Sequence, residues 1–187
     1  MFYIIGGAPR SGKSLLALRM VKERGVPYFP TDALIGTLGR VAPEHQINHD
    51  VAFIEKARRV WKFIEHLFTH FLSEEESYLV EGDCILPEHV AAFIKKHTTG
   101  VRACFLGYGN IDVNTKLSFV RKYNRGDIDW TNEQSDEEMM PMIGRMIEYS
   151  HYLEKECKEN NIKYFDVSEN FELGWQQAYD YLVSEGK

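Results

Sequence analysis

The chain has few of the features that announce a special architecture. Three cysteines occur in 187 residues. Cys84, Cys104 and Cys157 are far apart and form no C-x-x-C pair, which argues against a zinc site or a dithiol redox motif and for reduced thiols in a cytoplasmic setting. No apolar run approaches the ~20 residues needed to span a bilayer. The N-terminus reads as a strand leading into a loop, not as a signal peptide. Charge is spread without blocks and sums to −6, which disfavours bulk nucleic-acid or membrane-surface binding. Internal repeats, low-complexity tracts and an Asn-Lys-x-Asp guanine motif are all missing. With 44% hydrophobic and 27% charged residues, the composition is that of an ordinary globular protein with one core.

One local signal dominates what is present. Gly7-Ala8-Pro9-Arg10-Ser11-Gly12-Lys13-Ser14 fits G-x-x-x-x-G-K-[ST] without a mismatch. It follows an apolar run and opens a helix-like stretch from Leu15, the setting in which this motif cradles phosphates. Backbone N–H groups and the positive end of the helix hold the anion. Gly7 and Gly12 permit close backbone approach. Lys13 is expected to reach the β- and γ-phosphates and Ser14 to offer its hydroxyl to Mg²⁺. Leu15 completes the expected nucleotide-binding set. Arg10 stands where many such loops have glycine, and touches either a phosphate or solvent.

Five strand-like runs alternate with helical patterns, at residues 2–5, 26–29, 77–80, 101–106 and 162–167. Each is apolar on successive residues, the pattern of a parallel sheet covered on both faces. Phe53, Ala57, Val60, Ile64, Leu67 and Phe71 mark an amphipathic helix of about five turns. Met139, Met142, Met146, Tyr149, Leu153 and Cys157 mark a second, its methionines read as core. A last helix is written around Trp175, Ala178 and Leu182. Residues 124–136 are polar and aperiodic and are expected to form a mobile loop between helices. His66 and His70, at i,i+4, lack a third ligand and read as surface histidines.

Candidate chemistry lies at the strand ends. Asp32 follows the second strand, where side chains point into the ligand crevice. It can orient or deprotonate an attacking hydroxyl, although Thr31 or Asp32 can equally cap a helix beginning at Ala33. Glu81, after the third strand, is the candidate Mg²⁺ ligand with Ser14. Asp83 is the reserve, for metal or base, and Gly82 is expected to let the chain turn sharply. Arg121 and Arg125 share a helix face and lead into the polar loop, as cations brought in by a closing lid would. Arg40, Arg58 and Arg59 are candidates for holding an anionic acceptor, and Arg145 for joining the lid.

This arrangement resembles the nucleoside- and nucleotide-kinase branch of P-loop proteins, which includes adenylate, shikimate and gluconate kinases and those similar to 2-phosphoglycerate kinase. Thr31-Asp32-Ala33-Leu34 looks like their post-strand aspartate. Val80-Glu81-Gly82 with Leu86-Pro87 looks like the acidic third-strand end of the 2-phosphoglycerate kinase type. Arg121 and Arg125 match the paired arginines that open an adenylate kinase lid. The Asp-Gly-Phe-Pro-Arg run of adenylate kinases and a four-cysteine lid site are missing. The resemblance therefore carries the reaction type, ATP-dependent phosphoryl transfer to a small-molecule hydroxyl or phosphate, but not the acceptor. It implies one three-layer α/β domain over residues 1–187, with five parallel strands in the order 2-3-1-4-5 and helices on both faces. Residues 33–72 would form the acceptor side and residues 121–136 a lid. The alternatives are a nucleotide-dependent switch and a kinase acting on nucleic-acid ends. Oligomeric state and base preference stay open.

Overall fold

In the computed structural model, which describes residues 1–48, 51–97, 100–124, 126 and 129–184, five strands pair in parallel in the order β2-β3-β1-β4-β5. They are β1 (Phe2–Gly7), β2 (Tyr28–Pro30), β3 (Tyr78–Gly82), β4 (Val101–Gly107) and β5 (Lys163–Asp166). The expected order holds, with helices on both faces. β1 lies centrally, with Ile5 opposite Glu81 on one side and Cys104 on the other. Its Ile4 and Ile5 are wholly buried, as are Leu79 and Val80 of β3 and Cys104 to Leu106 of β4. Strands covered on both faces need such unbroken apolar runs.

Among the described residues, seven helices lie between and after the strands: α1 (Lys13–Arg24), α2 (Thr31–Val41), α3 (Phe53–Ser73), α4 (Pro87–Lys96), α5 (Val113–Lys122), α6 (Asp136–Glu159) and α7 (Phe171–Val183). Short 3₁₀ turns occupy Pro43–His45 and Trp130–Glu133. At the amino ends of the strands, the rings of Phe2, Phe68 and Phe93 meet edge to face, with centroids 5.1 Å apart for the first pair and 5.3 Å for Phe68 and Phe93. The three cysteines are buried thiols. Met139 and Met146 are buried on α6, as their helical spacing predicts.

Two expectations are corrected and one is extended. The second helix begins at Thr31, not Ala33; Pro30 is its N-cap residue and no side chain caps it. Asp32 therefore sits in the first turn, and neither Thr31 nor Asp32 caps the helix. The chain turns directly after Gly82, at Asp83 and Cys84. A Cβ at Gly82 would also lie 1.7 Å from Thr31 Oγ1, so its small size lets α2 approach β3. The stretch from 124 to 136 is not structureless throughout. It contains the Trp130–Glu133 turn, and Ser135 caps α6 reciprocally with Glu138. Among the described residues, no helix is long and apolar enough to cross a membrane.

Candidate active site

The carboxyl ends of β1, β2 and β3 converge on a cleft of about 220 Å³. One wall is the phosphate loop, with Pro9, Arg10, Lys13 and Ser14. Asp32, Glu81 and Asp83 form the opposite wall, and Asp129 and Trp130 close it from the side of the expected lid. A larger cavity of about 480 Å³ opens at the other end of the sheet, near Met1, Phe71 and Gly100. That is the amino edge, away from the loops where parallel α/β sheets bind ligands.

The loop's backbone explains its residues. Gly7 has φ 145°, and a Cβ there would meet the Leu106 carbonyl oxygen at 2.2 Å. Gly12, at φ 93°, is the left-handed N-cap of α1. Arg10 has φ 63°, an uncommon conformation for a residue with a side chain. Lys13 is buried and donates to the Ala8 carbonyl at 2.9 Å. Ala8 and Ser11 are buried within the loop and Leu15 is exposed on the first turn of α1.

Ser14 Oγ donates to Glu81 Oε2 at 3.3 Å. Glu81 is 6% exposed. Burial raises its pKa above the usual carboxylate value; Lys13 opposes the rise and Asp32 adds to it. A buried carboxylate beside a hydroxyl, with cationic help from one side only, suits a hard divalent cation with oxygen ligands. Among the described residues, no three His, Cys, Asp or Glu are grouped to hold a metal by themselves. A magnesium ion here would therefore draw its remaining ligands from phosphate and water.

Several neighbours escaped the sequence reading. Lys56 is 2% exposed, and its Nζ lies 3.6 Å from Asp83 Oδ2. Burial pulls its pKa down, but Asp83, aided by Asp32, more than offsets this and the net shift is upward. The signal was its place in the α3 row Lys56, Val60, Ile64, Phe68, all buried. The Arg10 guanidinium points neither to solvent nor freely into the cleft. It pairs with buried Asp129, donates to Thr131 Oγ1 at 3.0 Å and lies 5.8 Å from the Trp130 ring. No sequence signal separates Asp129 from its polar neighbours.

Arg121 is engaged within the lid segment. It donates to the carbonyls of Thr131 (2.5 Å) and Gln134 (2.7 Å) and to Asp136 (2.9 Å). Arg125 lies outside the described residues. Arg40 and Arg58 are exposed and do not line the cleft. Arg59 pairs with Glu55 and reaches the Gln46 carbonyl. His66 contacts the Lys62 carbonyl and His70 contacts Glu74.

No protein-family model and no curated protein matches the chain. Solved structures do. It is similar to a shikimate kinase from Bacteroides thetaiotaomicron, with TM-score 0.58 and 14% identity, covering 97% of this chain and 98% of that one. A gluconokinase from Sinorhizobium meliloti 1021 superimposes with TM-score 0.56 and 14% identity, covering 98% and 97%. An uncharacterized protein from Eubacterium ventriosum ATCC 27560 does so with TM-score 0.51 and 18% identity, covering 99% of both chains. At these identities the likeness is one of fold, and the fold is that of the P-loop small-molecule kinases.

Proposed function

We propose that the protein is an ATP-dependent kinase that transfers the γ-phosphoryl group to an oxygen of a small molecule. One juxtaposition carries this reading: the phosphate loop with Lys13 and Ser14 faces Asp32, Glu81 and Asp83 across a single cleft. A carboxylate set across from the loop is what an acceptor hydroxyl requires.

In this reading the loop amides and Lys13 bind the β- and γ-phosphates. The acceptor oxygen attacks the γ-phosphorus, the bond from phosphorus to the bridging β–γ oxygen breaks, and ADP leaves. Asp32, exposed at the cleft wall, takes the hydroxyl proton, with Asp83 as the other candidate. Lys56 pairs with the Asp83 carboxylate, and Tyr149 donates to the Asp83 carbonyl at 2.7 Å. Bound magnesium, held by Ser14 and Glu81, would neutralise charge on the phosphates. Arg121 orders the lid turn, and Arg40, Arg58 and Arg125 are proposed acceptor-side and lid cations that come into play on closure. Much of the rate would come from positioning and charge stabilisation.

The test is an acceptor screen with ATP·Mg²⁺ over hydroxyl and phosphate metabolites. One compound should accept phosphate at a rate well above ATP hydrolysis, and Lys13→Ala should abolish both binding and transfer while the circular dichroism spectrum is retained. Slow hydrolysis indifferent to every metabolite would instead support a nucleotide-dependent switch.

A further inference from the structure

Three consecutive carbonyls of the phosphate loop each accept a side-chain hydrogen bond. Lys13 Nζ binds the Ala8 oxygen at 2.9 Å, Tyr108 Oη binds the Pro9 oxygen, and Lys116 Nζ binds the Arg10 oxygen at 3.0 Å. Lys13 belongs to the motif. The other two come from outside it: Tyr108 directly follows β4, and Lys116 lies on α5. Neither lines the cleft. Tyr108 is wholly buried and Lys116 is 7% exposed. The Lys116 ammonium stands 3.4 Å from the centre of the Tyr108 ring, so the two side chains form one unit behind the loop.

The geometry gives this unit a task. In a planar trans peptide the C=O and the following N–H point in opposite directions. Fixing the Pro9 carbonyl on the buried Tyr108 turns the Arg10 N–H to the opposite side, away from that ring. Fixing the Arg10 carbonyl on Lys116 sets the next peptide, whose Ser11 N–H closes a turn on the Ala8 oxygen at 3.3 Å. Both peptides flank Arg10, the loop residue that holds φ 63° despite its side chain. Without external ties that conformation is disfavoured, and a loop that relaxes has to be reordered by each incoming nucleotide.

We infer that Tyr108 and Lys116 are positioning residues for nucleotide binding: they brace the phosphate loop from behind and hold the backbone on both sides of Arg10 in its strained conformation before the triphosphate arrives. This rests on the nucleotide-binding reading of the cleft. Burial keeps the Tyr108 hydroxyl protonated, against a small opposing effect of Arg10, so it remains a donor.

Lys116 also has an electrostatic signature. Burial, then Arg10 and then Lys13, pull its pKa down to about 7. Those two cations are the charges that act on it. On the α6 side, its helix neighbours Leu117 and Val120 pack against Met139 and Ile143. His151 of α6 packs at Gly109, one residue past the Tyr108 ring. A bound triphosphate counters Arg10 and Lys13 and favours charged Lys116. Binding above neutral pH therefore takes up a proton, and affinity falls as pH rises.

The experiment measures ATP·Mg²⁺ and tripolyphosphate affinity by calorimetry between pH 6.5 and 8.5 on the wild type, Tyr108→Phe and Lys116→Met, with thermal unfolding alongside. Tyr108→Phe keeps the ring beside Lys116 and should fold; losing one hydroxyl tie should weaken binding about three- to tenfold. Lys116→Met should weaken it about tenfold or more at pH 6.5 and flatten the fall in affinity toward high pH that the wild type shows. Wild-type affinity in folded Tyr108→Phe, or an unchanged pH slope in Lys116→Met, overturns the brace and leaves the nucleotide reading standing. A wild type that binds neither probe removes both.

Discussion

The ammonium of Lys56 lies 3.6 Å from the carboxylate of Asp83, with side-chain exposures of 3% and 15%. The pair links α3 to the end of β3 at the floor of the cleft. Removing one partner strands the other. Lys56→Met is expected to destabilise the fold by about 3 kcal/mol, read as a lower urea midpoint with unchanged slope. The double variant Lys56→Met, Asp83→Asn should recover part of this, because no charge is left unpaired. The folded-state pKa of Lys56 is raised. The stability linked to the Lys56 charge is therefore whole at neutral pH and is lost as pH climbs past the ordinary lysine value through the raised one.

Glu81 has the opposite cost. Its pKa is raised by burial, so the stability linked to its protonation is complete below 4.5 and is lost as pH rises through the higher folded value. Above that value an ionised, desolvated carboxylate is maintained at a cost. Glu81→Gln should accordingly raise the melting temperature at neutral pH and leave it nearly unchanged at pH 4. The same variant should lose magnesium-dependent ATP binding. A melting temperature lowered at neutral pH would show that the carboxylate is not under strain.

Asp32 lies in the first turn of a helix that no side chain caps. A carboxylate there gains about 0.3–1 kcal/mol from the helix dipole, and it acts on Lys56 and Glu81 through their charges. As the proton acceptor it would be worth about 10²–10⁴ in rate. Asp32→Asn should therefore lower phosphoryl transfer far more than ATP affinity or thermal stability. Matched losses in all three would assign it a structural role.

Arg121 ties the backbone of Thr131 and Gln134 to α5, and Trp130, the first residue of that turn, lies 5.8 Å from the Arg10 guanidinium. Its ion pair with Asp136 is solvent-exposed on the acid's side, so Arg121→Ala should cost no more than about 1 kcal/mol of stability. Loss of lid order should lower kcat by about 10²-fold. Trp130 emission, expected to shift when ATP binds the wild type, should shift less in the variant.

The strands and the phosphate loop were legible because their signals are local, whereas the strand order came from the family resemblance. Two-sided burial forces unbroken apolar runs such as Ile4–Ile5 and Leu79–Val80, and a phosphate cradle requires its glycines and lysine within eight residues. The start of α2 was misread because Thr31 and Asp32 look like caps, whereas Pro30 occupies the N-cap position. Gly82 was recognised as special for the turn that follows it; its second constraint, the approach of Thr31, is one that no adjacent residue encodes.

The sequence by itself determined the donor half of the cleft, since Gly7 to Ser14 is a contiguous device whose chemistry follows from residue type and order. Only the tertiary structure decided what surrounds it. Lys56 joins Asp83 across 27 positions, Arg10 finds Asp129 across 119, and Lys116 reaches the Arg10 carbonyl across 106. A lysine on a helix reads as solvated until packing removes the solvent. Burial then compels it to find an oxygen, and which oxygen that is depends on how the strands bring distant loops to one edge of the sheet.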